Sequence, residues 1–321
     1  MSDDRKSKNE VFQGGKGEVP PAVQQHIEAI SKMSGDGDTP AAAPAPRPVI
    51  RTPDGVGANE NIMDMLQRDF GIKIPTESVP LPSRGLLYPP QHPFHRREVV
   101  DIKMMTAVEE DILTSQSLLK KGTVITELIK SCLVDNVNPN DLLSGDRNAL
   151  MIAIRITGYG ARYDGEVTCS ECGAKTPRDF NLADLDIKSL KIEPAVEGQN
   201  VFDFKLPRLK APVQFRFLTG RDEEDILKTS ERQKKLGISQ DNLVTTNLIH
   251  SIVSVNGVDD RAKLSHFVRM MPASDSNDLR RYIKENEPGV DMKVESECKA
   301  CGHVEEVAMP IGVTFLWPNA E

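Results

Sequence analysis

Thr168-Cys169-Ser170-Glu171-Cys172-Gly173 and, far downstream, Glu297-Cys298-Lys299-Ala300-Cys301-Gly302 are two copies of one short pattern. In each, two residues separate a pair of cysteines and a glycine follows the second. Backbone amides in such a turn point at the sulfurs, and glycine accepts the tight geometry that closes it. Neither copy offers more than two thiolates, so neither closes a tetrahedral metal site alone. Together, Cys169, Cys172, Cys298 and Cys301 supply the four ligands of one structural zinc. An iron-containing occupant and a metal-free thiol cluster are the other readings of four thiolates. A thioredoxin-like redox pair requires its first cysteine at a helix N-terminus, and the residues after each hook read as strand or loop. His303 follows the second hook, but Ala174 takes its place in the first, so His303 reads as a solvated side chain.

The stretch between the hooks largely repeats what precedes the first. Val213-Gln214-Phe215-Arg216-Phe217-Leu218 repeats a strand beginning at Val99-Val100-Asp101-Ile102, and Asp222-Glu223-Glu224-Asp225-Ile226-Leu227 aligns with Val108-Glu109-Glu110-Asp111-Ile112-Leu113. Leu248, Ile249, Ile252 and Val253 align with Leu128, Ile129, Cys132 and Leu133. Asp146, Asn148 and Leu150 then match Asp275, Asn277 and Leu279 at the same spacing that separates the two hooks. The expected fold is α+β: two similar strand-helix-helix-hairpin units, joined by a split, zinc-ribbon-like four-cysteine site. The units span 76–190 and 191–321. Closing a loop of this length costs little, because the entropy rises only logarithmically and the intervening chain is itself folded.

Residues 1–75 form a tail that the composition predicts to be disordered. It is rich in Gly, Pro, Ala and charge, and Pro40-Ala41-Ala42-Ala43-Pro44-Ala45-Pro46 cannot build a core. Val23, Ile27, Ile30 and Met33, and later Ile62, Met65 and Leu66, lie near helical spacing and predict two short amphipathic helices within it. Order is expected from Val79, with prolines holding Leu81 to Pro90 on an extended path against a surface and Gly85 allowing a turn. Thr106 and Glu109 have the spacing of a capping box and start a helix. Ile125, Leu128, Ile129, Cys132 and Leu133 form one apolar stripe on the next, with Cys132 a buried core thiol. A third helix runs from about Arg147 to Ile156, and Gly158-Tyr159-Gly160 reads as a turn into the first hairpin.

Composition narrows the function. With 38% hydrophobic residues the 321-residue chain has enough apolar content for a packed core. No run is long enough to span a membrane and no signal peptide is evident, so a cytoplasmic product is expected. In that reducing compartment five cysteines do not make a disulfide framework. A net charge of −8 and a pI near 5.4 argue against a general nucleic-acid binder. The acid runs at Glu109 and Glu223 sit where carboxylates complement a helix dipole, and no nucleophile, phosphate-loop or paired-histidine motif occurs, so no catalytic residue is assigned. The apolar ending Val313-Thr314-Phe315-Leu316-Trp317-Pro318 either packs back as a last strand or anchors a partner.

The order of Val79-Pro80-Leu81-Pro82-Ser83-Arg84-Gly85, Met105-Thr106-Ala107-Val108-Glu109-Glu110-Asp111-Ile112-Leu113, Gly145-Asp146-Arg147-Asn148, Tyr159-Gly160, Cys169 and Cys172, and Phe315-Leu316-Trp317-Pro318 resembles the baseplate hub proteins of T-even-type contractile-tailed phages. The resemblance covers about residues 79–318 and leaves out the tail. It implies a hub component or chaperone-like assembly factor that is not an enzyme. Its partners would be other hub and tail proteins, with self-association open and neither nucleic acid nor membrane bound. Its place would be the host cytoplasm during assembly, or the virion baseplate. Leu81, Arg84, Leu86, Tyr88, Phe315 and Trp317 are the expected partner-contact residues. The alternative is a zinc-ribbon adaptor that binds nucleic acid or a polymerase.

Overall fold

A computed structural model describes residues 68–235, 242–309 and 313–316, and the expected helices around residues 23–33 and 62–66 lie outside them. Strands β1 (Thr76–Pro80) and β2 (Val99–Lys103) pair antiparallel and are followed by helices α1 (Ala107–Thr114), α2 (Gln116–Lys121), α3 (Val124–Cys132) and α4 (Ser144–Tyr159). Hairpin β3 (Arg162–Thr168) and β4 (Lys175–Asn181) carries the first hook between its strands. After a short strand β5 (Ile187–Lys188) come β6 (Phe202–Lys205), β7 (Pro212–Phe215), α5 (Gly220–Lys235), α6 (Leu243–Ser251) and β8 (Ile252–Val255). Helices α7 (Arg261–Met270) and α8 (Ala273–Asn286) lead to β9 (Gly289–Val290), which pairs with β5. Hairpin β10 (Lys293–Glu297) and β11 (Val304–Ala308) carries the second hook, and a short helix α9 (Val313–Leu316) follows. The fold is mixed α and β with small antiparallel sheets, the largest among the described residues being β6-β7-β8.

Thr106 caps α1 as its sequence predicts: its amide and hydroxyl both donate to Glu109 Oε2, at 2.8 and 2.5 Å. Glu109 does more than complement a dipole. Its side chain is fully buried, accepts a 2.5 Å bond from Ser131 Oγ and ion-pairs with Lys103 Nζ at 2.9 Å. The same arrangement recurs at α5, where Thr219 donates from amide and hydroxyl to Asp222 Oδ2, Arg216 grips the carboxylate at 2.6 and 2.8 Å, and His250 Nδ1 lies 3.1 Å from it. By these contacts the counterpart of Glu109 is Asp222, one position earlier than the alignment of acidic runs indicates, because consecutive acids align equally well one step out of register. The helices shift likewise. The carbonyls of Ile129 and Leu248 accept the amides of Leu133 and Ile252 at the two helix ends, so Leu248 takes the place of Ile129.

Residues 81–97 do not run extended. They fold into successive turns, with Arg84 and Gly85 both in the left-handed region, around the carboxylate of Asp146 in the first turn of α4. Asp146 is completely buried and accepts from the Ser83 amide (3.0 Å), Ser83 Oγ (2.6 Å) and Tyr88 OH (2.7 Å). These donors answer the need of a buried carboxylate, and prolines alone could not hold the segment straight against it. Burial pushes the Asp146 carboxyl up, and the Ser83 and Tyr88 bonds pull it back. A Cβ on Gly85 would fall 2.1 Å from the Phe94 carbonyl oxygen, so the turn admits no larger residue. In the second half Asp275, also fully buried in the first turn of α8, accepts the amides of Arg208 and Leu209 at 2.7 and 3.0 Å.

Helix α4 is longer than its apolar pattern indicates. Ser144 and Gly145 belong to it, and Gly158 and Tyr159 continue it until Gly160, at φ 83°, ends it. The close packing of its first turn explains Gly145, where a Cβ would lie 1.8 Å from the Pro288 carbonyl oxygen. Of the two readings of the apolar ending, packing back is what Phe315 does, fully buried, but on helix α9 and not on a strand. Two cores form, and each draws on residues from both sides of position 190. One gathers Val100, Ile102, Leu128 and Ile129 with Phe202, Phe215, Ile252 and Leu279. The other joins Tyr163, Val167 and Phe180 to Val307, Met309 and Phe315.

Glu109 and Asp222 make stability depend on acid. Burial, which raises both, is outweighed by Ser131, Thr106 and Lys103 at Glu109 and by Arg216 and Thr219 at Asp222, and both carboxyls drop to about 2, from ordinary values of 4.5 and 3.8. Depressed values lend stability that is complete above about pH 4.5 and drains as pH falls toward about 2. Thermal unfolding across this window should show the loss, and Glu109→Gln should flatten it while costing on the order of 2 kcal/mol at pH 7.

Candidate metal centre

The two hooks occupy equivalent places at the tips of two hairpins. In the first, the Cys169 amide donates to the Ala174 carbonyl and the Gly173 amide to the Cys169 carbonyl, both at 3.0 Å. In the second, the Cys298 amide donates to the His303 carbonyl at 2.7 Å and the Gly302 amide to the Cys298 carbonyl at 2.8 Å. Gly173 (φ 69°) and Gly302 (φ 72°) take the left-handed backbone that the pattern requires. His303 therefore contributes its carbonyl to the turn, while its ring is not among the clustered ligand atoms.

The hairpin tips bring all four sulfurs together. Every pair of Sγ atoms among Cys169, Cys172, Cys298 and Cys301 lies within 4.8 Å, and two pairs across the hairpins, Cys169 with Cys301 and Cys172 with Cys298, lie at 3.8 Å. Four thiolates about 2.3 Å from a central ion stand about 3.8 Å apart at the corners of a tetrahedron, so the spacing fits a four-coordinate metal. Cys169 and Cys298 are buried while Cys172 and Cys301 face outward, which leaves one side of the cluster toward solvent. The amides of Ala300 and Cys301 point at the Cys298 sulfur and bring that thiol down to about 6. At Cys301 the His303 amide also pulls down, but the Cys172 sulfur and burial outweigh it and push the thiol up to about 12. Protons shared among crowded sulfurs in this way are readily exchanged for a cation.

What supports the hairpins is only partly visible in the sequence. Ser170 donates its amide (3.1 Å) and its hydroxyl (2.5 Å) to Glu305, tying the first hook to the strand after the second. Arg155, buried in α4, donates to the carbonyls of Phe315 (2.5 Å), Gly160 (2.7 Å) and Arg162 (3.1 Å), fixing helix α9 to the base of the first hairpin. Tyr163 meets the Phe315 ring edge-on at 5.3 Å. Nothing in the spacing of Arg155 or Glu305 marks these roles.

The expected contact residues divide. Leu81, Tyr88 and Phe315 are buried in the chain's own interior, where Leu81 packs in the main core, Tyr88 serves Asp146 and Phe315 lies under the hairpins, so they present no surface to a partner. Arg84 and Leu86 are exposed on the turns between. Trp317 lies outside the described residues. Tyr163 lies in the second core, and Tyr159, half-buried at the end of α4, donates its hydroxyl to Glu110 at 3.0 Å. Among the described residues no helix is long and apolar enough to cross a membrane.

The thiols should separate by accessibility. Cys132 is fully buried in the main core, and burial pushes it up to about 12. A thiol reagent applied to chelator-treated, reduced protein at neutral pH should therefore modify the exposed Cys172 and Cys301 first and spare Cys132 until denaturant is added. Early modification of Cys132 would contradict this packing.

A family model described as T4 bacteriophage base plate protein matches residues 82–317. No curated protein and no solved structure matches the chain. Since the match takes in both hooks, both buried aspartates and most of the 321 residues, the chain belongs to the T4 bacteriophage base plate protein family.

Proposed function

We propose that this chain is a non-enzymatic component or assembly factor of the baseplate's central hub, stabilised by one zinc ion on Cys169, Cys172, Cys298 and Cys301. A structural baseplate role and association with the virion tail follow from the family. The place in the hub, the assembly-factor role and zinc as the metal go beyond what the family gives. The observation that carries it is the meeting of four sulfurs from two hairpins distant in sequence, at tetrahedral spacing, in a baseplate protein. Closed four-thiolate sites of this kind build scaffolds, because they leave no ligand position for substrate. The acid runs support the same reading, since Glu109 and Asp222 are committed to helix starts and ion pairs. The recurring carboxylate and helix-end contacts favour a chain built from two related units, 76–190 and 191–321, that share their cores and are clasped by the metal.

Metal analysis of purified protein should give about one zinc per chain, and Cys169→Ser should lower the unfolding midpoint as much as Cys298→Ser. Two zincs, or none in freshly reduced protein, would sink the shared site. For the hub role, mass spectrometry of purified phage particles and of assembly intermediates from the same infection should find the chain with central hub proteins. Its recovery only with peripheral baseplate parts, or its tight salt-sensitive binding to DNA instead, would overturn that role.

A further inference from the structure

A groove of about 720 Å³ opens beside the last turn of α8. The protein carries a net charge of −8, yet Lys188, Lys191, Arg281, Lys284 and Lys293 line this groove. They arrive from three places: β5 and the residues after it, the end of α8, and the start of β10. Two of the cations are balanced locally, Arg281 by Asp278 at 2.7 Å and Lys293 by Glu306 at 2.5 Å. Lys188 Nζ donates to the Lys284 carbonyl at 2.9 Å, which satisfies a helix end, and its charge also acts on the nearby Glu287 carboxylate without forming an ion pair. Lys191 and Lys284 are exposed and have no ion-pair partner among the described residues.

The negative end of the α8 dipole accounts for Lys284 and for Lys188, which caps it. It does not account for Lys191, which belongs to another segment, or for placing three ammonium groups without an ion pair along a groove that holds only two carboxylates, on an acidic protein. That local surplus of positive charge attracts a counter-charge. We propose that the groove receives an acidic segment of a partner protein, whose carboxylates seat on Lys188, Lys191 and Lys284. Glu285 and Asp291 also face the groove. They would oppose the dense, regular charge of a nucleic-acid backbone, whereas a peptide's carboxylates are spaced widely enough to avoid them. No aromatic side chain lines the groove to stack a base. The proposal rests on reading the chain as a scaffold that meets other proteins, and it does not depend on the metal.

The probe is a fluorescein-labelled oligoglutamate peptide, followed by fluorescence anisotropy on the full-length protein at low and physiological salt. Saturable binding should weaken as salt rises and fall at least about tenfold in Lys188→Glu/Lys191→Glu/Lys284→Glu. Lys73→Glu/Lys130→Glu/Lys263→Glu removes the same charge from exposed positions elsewhere and should change binding no more than about twofold. If the groove triple variant unfolds, Lys191→Ala/Lys284→Ala alters only exposed side chains and should still weaken binding about threefold. Absence of saturable binding, equal losses in the two triple variants, or tighter binding of an oligothymidylate of matching charge would each overturn the proposal. None of these results would bear on whether the chain is found among hub proteins, so the two readings fail separately.

Discussion

A carboxylate removed from water must find its hydrogen bonds inside the protein, and Asp146 shows how much structure that requirement fixes. Its three donors come from Ser83 and Tyr88, on a segment more than fifty residues earlier, which must turn repeatedly to present them. The turns in turn place Leu81, Leu87 and Phe94 in the main core beside β2 and α3. Tyr88 then accepts the Leu143 amide through the same hydroxyl that it gives to Asp146, so the start of α4 is set by the loop it anchors. Strand, loop and helix are held to one geometry by one side chain.

From that point α4 acts as the spine between the two cores. Its first turn packs against Pro288 and Gly289, and the chain just before it pairs with Leu218 to Gly220, where Ser144 and Leu218, and Gly220 and Leu142, exchange backbone hydrogen bonds. Its far end carries Arg155, which gathers carbonyls from the start of the first hairpin and from helix α9. The hairpins thus stand on a base that already joins the halves, and the sulfur cluster closes a structure whose parts are held close by packing.

The cysteine hooks, the capping box at Thr106 and the stripe on α3 were legible because each is a local pattern: the residues that interact are within a few positions of one another. The turns around Asp146 were not, because their cause is a carboxylate brought in by tertiary folding. Local proline content pointed the other way. Acidic residues in series concealed which of them, Asp222 or Glu223, occupies the buried place, since the contacts of Thr219, Arg216 and His250 decide it. The groove cations are likewise invisible in sequence. Lys188 and Lys284 are ordinary surface lysines until strand and helix end meet. At the C-terminus, apolar content left burial and partner contact both open for Phe315, and a run so short carries no periodicity that separates helix from strand.

Chain order also matters at the sulfur cluster. Cys169 and Cys172 leave the ribosome well before Cys298 and Cys301, and at roughly 5–20 residues per second the first pair waits several seconds for the second. During that interval the first hairpin lacks half of its ligands, and the core beneath it lacks Val307, Met309 and Phe315. The cluster therefore closes only once the second hairpin has been made: until then the first pair of thiols lacks its partners and the apolar face beneath it is uncovered.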